Sequence, residues 1–171
     1  KGGQINKKSG PHPAGNVGVQ IHQIDPINKG DVVWYLHPQD VIAIARLFTA
    51  GKYDVTKIVA LCGSQIQKPR YYRSIAGACI SNLLNENTKV GKSRIISGDI
   101  LSGTQINPDG CLGFYDSQLT VVPEGDEAEF LGWMLPGLHK FSASKTFLSW
   151  LYPSKKYNLD TNMHGEERAY V

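Results

Sequence analysis

Lys57-Ile-Val-Ala-Leu-Cys-Gly-Ser-Gln-Ile-Gln-Lys-Pro-Arg-Tyr-Tyr-Arg73 reads as two short strands around a turn. Residues 57–62, apolar after Lys57, form a run of strand length. Gly63 and Pro69 bracket a segment that breaks it, and residues 70–73 return as the second strand of a hairpin. Further on, Ala78-Cys-Ile-Ser-Asn-Leu-Leu84 places Ile80, Leu83 and Leu84 on one helical face, and Arg94-Ile-Ile-Ser97 supplies another strand. Two strands, a short helix and a further strand within about 50 residues form a β-grasp pattern, in which the helix lies across the sheet.

Upstream, residues 1–16 are rich in Gly, Pro, Lys and Asn and read as loop, with Pro11 and Pro13 removing amide donors. Residues 17–24 alternate and are expected as a strand, as are residues 32–36. A helix follows. Pro38 suits its first turn, Asp40 its positive end, Val41, Ile44, Ala45 and Phe48 fall at i, i+3, i+4 and i+7, and Gly51 ends it. This strand–helix order is that of the closing edge of an α/β domain. Downstream, residues 119–122 and 129–133 are expected as strands joined by Pro123-Glu-Gly125, while residues 141–152 suit either a buried helix end or a strand.

At 171 residues, 41% apolar and 19% charged, the chain can bury a core. Its net charge of +3 is spread along the sequence, and the short basic clusters lack any nucleic-acid-binding module. No apolar run approaches the ~20 residues that a membrane-spanning helix needs. Cys62, Cys79 and Cys111 lie 17 and 32 residues apart, a spacing that fits no iron–sulfur ligand run. They are expected as reduced thiols, with Cys62 and Cys79 at least partly buried.

The motifs that would carry chemistry fall short. Gly10-x₄-Gly15 is followed by Asn16-Val17 where a phosphate-binding loop needs Lys and a hydroxyl residue, and Gly91-Lys92-Ser93 has Glu86 in place of the leading Gly. No Gly-x-Gly-x-x-Gly follows a strand, so nothing signals NADH or flavin binding. His12, His22, His37, His139 and His164 are scattered singly, without the spacing of a helical metal site. No Ser or Cys sits in a nucleophile elbow, and Asp25, Asp31, Asp40 and Asp99 form no acid–base pair in sequence. Catalytic, cofactor-binding and metal residues are therefore expected to be none. Two candidates remain as contact residues. Arg70, Tyr71, Tyr72 and Arg73 are residue types enriched at interface hot spots, against the plainer reading of a Tyr lying on its own domain and Arg in solvent. His12, held between two prolines, serves either a binding site or a tight connection packed on a neighbouring domain, and the second reading is the stronger.

A longer series of residues carries a family resemblance. Gly10-Pro-His-Pro-Ala-Gly-Asn-Val-Gly-Val-Gln-Ile-His-Gln-Ile-Asp-Pro26, Trp34, Gln39-Asp-Val-Ile-Ala-Ile-Ala-Arg-Leu-Phe-Thr49, Val59-Ala-Leu-Cys-Gly63, Pro69-Arg70, Arg94-Ile-Ile-Ser-Gly98 and Leu101-Ser-Gly103 begin it. It continues through Val122-Pro-Glu-Gly125, Gly132-Trp133, Pro136-Gly137 and Lys140-Phe-Ser142. In order and spacing these resemble the A-subunit of the bacterial Na⁺-translocating NADH:quinone oxidoreductases, with Ser64 standing where the family pattern has Pro. The resemblance implies an α+β chain: the end of a Rossmann-like domain over residues 1–52, a β-grasp domain of the soluble-ligand-binding type over 53–110, and a β-rich segment over 111–171. It further implies a peripheral place on the cytoplasmic face of the membrane, against the membrane-embedded B-subunit, with flavins and iron–sulfur centres held elsewhere in the complex. Within that family the role implied is either a docking scaffold or a contribution to a quinone site. An independent small-ligand-binding β-grasp module is the alternative. The chain starts without Met and stops at Ala169-Tyr-Val171 where the family continues, so it reads as a piece of a longer protein.

Overall fold

A computed structural model describes residues 3–85, 87–125, 130–132, 134–141 and 145–158. The chain divides into two compact units, Lys1–Asp54 and Val55–Val171.

The first unit carries α1 (Val17–Ile24) and α2 (Pro38–Ala50). The strand expected over residues 17–24 is instead α1: Val17, Ile21 and Ile24 recur at i, i+4 and i+7, a helical period hidden beneath the alternation of Val17, Val19 and Ile21. The amide of Gln20 donates to the Asn16 carbonyl at 3.1 Å and closes the first turn. Residues 32–36, also expected as a strand, have no ladder partner among the described residues, and their side chains are exposed, Trp34 by 88%. A strand needs a neighbour to satisfy its amides, and apolar composition alone supplies none. The expected helix from Pro38 is present. The His37 amide donates to the Asp40 carboxylate at 3.2 Å, and Gly51 stops the helix at φ 64°, with its amide on the Leu47 carbonyl. None of the described residues up to Asp54 is buried, and Phe48 on α2 is 84% exposed.

The second unit is built on a mixed five-stranded sheet: β1 (Thr56–Cys62), β2 (Arg70–Ile75), β3 (Ser93–Ser97), β4 (Thr104–Ile106) and β5 (Gln118–Pro123), in the order β2-β1-β5-β3-β4. The β1–β2 hairpin is antiparallel, in the register Val59↔Tyr72. β5 runs parallel to β1, with Leu61↔Leu119, and antiparallel to β3, with Ile95↔Val121. Thus residues 119–122, which in sequence belong to the segment beyond 110, take the centre of the sheet. Leu119, Thr120, Val121 and Val122 are all buried, as expected of a strand covered on both faces.

One face of the sheet presents Val59, Leu61, Ile95, Leu119 and Val121 to Ile66, Ile80 and Leu84, and this cluster is the core. The helix α3 (Ser81–Asn85) lies just after Ile80. It starts three residues later than the sequence pattern suggests, because residue 79 is in an extended bridge with Cys111. That shift corrects the expectation for Cys79. In an extended segment neighbouring side chains alternate, so burial of Ile80 turns Cys79 out to solvent, whereas Cys62 on β1 is half-buried as expected.

Buried polar groups close the remaining joints. Ser97 Oγ donates to the Asp116 carboxylate and accepts from the Gly113 amide at 2.9 Å, while Thr120 Oγ1 donates to the Gly98 carbonyl at 2.7 Å. Arg94 and Glu124 form an ion pair between β3 and the end of β5. The Glu124 carboxylate also holds the Arg94 guanidinium above its ordinary pKa through that hydrogen bond. Of the strand expected over residues 129–133, residues 130–132 form a turn, with no partner strand among the described residues, and 129 and 133 lie outside the described residues. In the ambiguous stretch 141–152, residues 148–151 are a short 3₁₀ turn and residues 142–144 lie outside the described residues.

Candidate functional site

β2 is an edge strand, and no described strand pairs with its outer side. The Ala76 amide donates to the Val55 carbonyl, which makes Thr56↔Ile75, Ile58↔Arg73 and Ala60↔Tyr71 the non-hydrogen-bonded pairs of the hairpin. The peptide groups of Tyr71 and Arg73 consequently face away from β1, towards the open edge.

The four candidate residues of this strand are divided by its pleat. Tyr72 turns inward and packs against the core cluster. Arg70 lies on the same side, its guanidinium 5.4 Å from the Tyr72 ring centroid and its Nη2 donating to Asn87 Oδ1 at 3.1 Å. Asn87 is buried and fixed in turn, since its Nδ2 donates to the Leu83 carbonyl and its own carbonyl accepts from the Gln67 amide. Arg70 is thereby bound to the hairpin loop and to α3. Tyr71 and Arg73 point the other way, and Tyr71 is 78% exposed.

The outer face that holds Tyr71 and Arg73 also holds Ile58 and Ile75, both exposed. Sequence reasoning missed Ile58 because residues 58–62 are apolar throughout, which hides which face of β1 is covered, and Ile75 because the expected second strand stops at Arg73. The available signal was cross-strand: in a hairpin of this register Ile58 must sit beside Arg73. An aromatic ring, a guanidinium and two aliphatic side chains above a backbone edge with no partner strand among the described residues can bind an extended or flat protein surface. They carry no nucleophile or base. The cavity beneath the hairpin, lined by Lys57, Val59, Ile80 and Leu112, has a volume of only about 10 Å³, less than a small molecule needs.

His12 is exposed in the loop before α1, and its bond to Pro13 is cis. Among the described residues no three of His, Cys, Asp and Glu cluster as metal ligands, and no helix is long and apolar enough to cross a membrane. A larger groove of about 530 Å³ is lined by Leu138, His139, Leu151, Tyr152, Pro153 and Lys155, with Lys155 Nζ donating to the Leu138 carbonyl and 3.0 Å from His139 Nδ1.

The thiols differ in their surroundings: Cys79 and Cys111 are exposed and Cys62 is half-buried. Hydrogen bonding from the Ser81 hydroxyl, and next from the Ser81 amide, holds the exposed Cys79 thiol below the ordinary value, outweighing the nearby Asp109 carboxylate, which raises it. Cys79 is therefore expected to alkylate quickly with a bulky maleimide under native conditions and Cys62 slowly. Ser81→Ala should move the midpoint of the Cys79 pH–rate profile upward. An unchanged profile would remove Ser81 as the cause.

A helical unit followed by a mixed five-stranded sheet with an open hairpin edge defines a two-unit α/β chain whose exposed chemistry suits contact. Family models divide it in the same order. The NqrA second alpha/beta domain matches residues 1–53, and the NQRA C-terminal domain, an SLBB-type model, matches residues 58–107. The chain is 45% identical over 168 residues, 98% of its length, to the A-subunit of the Na⁺-translocating NADH-quinone reductase of Pasteurella multocida (strain Pm70). It is 44% identical over 97% of its length to that of Yersinia pestis, and 41% identical over 99% to that of Klebsiella pneumoniae (strain 342). It spans 37% of the length of the first two of these relatives and 38% of the third. The chain belongs to the family of Na⁺-translocating NADH-quinone reductase A-subunits.

Proposed function

We propose that this chain serves as a cofactor-free docking module of a Na⁺-translocating NADH:quinone reductase, peripheral on the cytoplasmic side and in contact with the membrane-embedded B-subunit. In this reading the second unit is a β-grasp domain and the first the end of a Rossmann-like domain. The strand order β2-β1-β5-β3-β4, with parallel β1 and β5 at the centre, supports the β-grasp description. The observation that carries the docking role is the outer face of the hairpin, where Tyr71, Arg73, Ile58 and Ile75 stand exposed beside a strand edge that no described strand pairs with. Such a face fits a protein partner better than a small molecule, because the cavity behind it is water-sized. Flavin, iron–sulfur and quinone chemistry are assigned to the other members of the complex.

The test is exchange of Tyr71 for Ala and Arg73 for Glu in the full-length protein, followed by co-purification with its membrane partners at physiological salt. Each is expected to weaken assembly by about 1–3 kcal/mol while leaving the fold intact, since both side chains are exposed. Arg70→Glu should behave differently and loosen the fold itself through loss of the Asn87 contact. Undisturbed assembly of the Tyr71/Arg73 double variant would assign this face to ordinary surface. A second reading, an independent small-ligand module, draws on the groove between Leu138 and Lys155, whose volume lies within the range of ligand sites. Retained assembly together with saturable binding of a quinone analogue, lost in Tyr152→Ala, would favour it.

A further inference from the structure

Cys79 and Cys111 are 32 residues apart in sequence and directly opposite each other in the structure, as the two halves of an isolated antiparallel bridge. The Ile80 amide donates to the Gly110 carbonyl at 3.1 Å. A bond from the residue after one cysteine to the residue before the other marks the cysteines as a non-hydrogen-bonded pair, the kind that brings side chains closest. Cα atoms in such a pair are about 4.5 Å apart, inside the range of about 4.4–6.8 Å that a disulfide spans. Both thiols are exposed. Cys62 is elsewhere, half-buried on β1, with its Sγ 3.7 Å from the Leu119 carbonyl.

We propose that Cys79 and Cys111 form an oxidisable dithiol, a modification site at which a hydroperoxide closes an intramolecular disulfide. Cys79 is the attacking thiol, because Ser81 Oγ and the Ser81 amide favour its thiolate. Its sulfur attacks the peroxide, an S–O bond forms as the O–O bond breaks, and the departing oxygen takes up a proton to leave as water or an alcohol. The Cys111 thiol then gives up its proton and attacks the Cys79 sulfur; the S–S bond forms, the S–O bond breaks and hydroxide leaves with that proton as water. Two thiols lose two electrons and two protons, and the hydroperoxide is reduced by two electrons. The bridge would tie the segment entering α3 to the segment approaching β5. It would thereby close a loop carrying α3, β3 and β4.

The experiment treats the full chain with hydrogen peroxide under native conditions and follows intact mass, with tryptic mapping before and after reduction. Trypsin places Cys79 in residues 74–89, Cys111 in 95–140 and Cys62 in 58–70, so each pairing gives a distinct product. The expected result is loss of two hydrogen atoms, a cross-link between the peptides 74–89 and 95–140, and its reversal by dithiothreitol. Cys62→Ser should retain the cross-link. Cys79→Ser and Cys111→Ser should each abolish it, and unfolding in urea before oxidation should spread pairing to Cys62. The proposal is overturned if oxygen atoms add to Cys79 without a cross-link, if both thiols remain open to alkylation, or if the link joins two chains.

Discussion

Leu119→Ala should lower the free energy of unfolding by about 2–5 kcal/mol, seen as a fall in the urea midpoint at unchanged slope. Leu119 is fully buried on β5, beside Leu61 of β1 in parallel register and opposite Ser97 of β3. Removing its isobutyl group leaves a cavity that cannot close easily. The strands on both sides are held by ladders, and Ser97 is pinned by Asp116 and the Gly113 amide. A loss of that size is a large fraction of the roughly 5–15 kcal/mol by which a domain is stable. Tyr71→Ala removes a bulkier group from an exposed position and should stay within about 0.5 kcal/mol of the parent. Equal midpoints for the two variants would contradict the central place of β5.

The second large effect belongs to Gly63→Ala. Gly63 leaves β1 at φ 114°, and a Cβ added there would lie 2.0 Å from the Val121 carbonyl oxygen and 2.6 Å from its nitrogen. A left-handed backbone costs an alanine about 1–2 kcal/mol. Here the turn must also move off the central strand, disturbing the Gln65 amide bond to the Val121 carbonyl, so the expected total loss is roughly 4 kcal/mol or more. Gly77→Ala separates the two terms. It has φ 79° with nothing within 4 Å of the added methyl, and should lose only the backbone term of about 1–2 kcal/mol. Thermal unfolding of both variants measures the difference, and equal losses would show that the approach to Val121 is relieved at no cost.

The same contrast between local and long-range causes separates what was legible in the chain from what was not. The hairpin could be read at residues 57–73 because its signals are adjacent: an apolar run, a Gly and Pro break, and a return rich in aromatic and basic residues. Helix α2 was legible for the same reason, with Pro38, Asp40 and Gly51 marking its ends. Residues 17–24 misled, since alternation and a helical period coexist in eight residues and both templates match. Residues 32–36 misled because a strand is defined by a partner, which composition does not reveal. At the candidate contact face, the residue types could be read, but not that Arg70 would be engaged by Asn87 and Tyr72, 17 and two residues away.

By itself the sequence determined the family, the hairpin and helix α2, because each rests on residues whose spacing along the chain is the signal. The tertiary structure alone decided that residues 118–123 enter between β1 and β3. A parallel pair demands a connection too long for any local pattern to mark. It alone decided that Ile58 and Ile75 join Tyr71 and Arg73, and that Cys79 meets Cys111. Contacts of that kind are made by chain closure over tens of residues, and no side chain announces the partner that closure will bring to it.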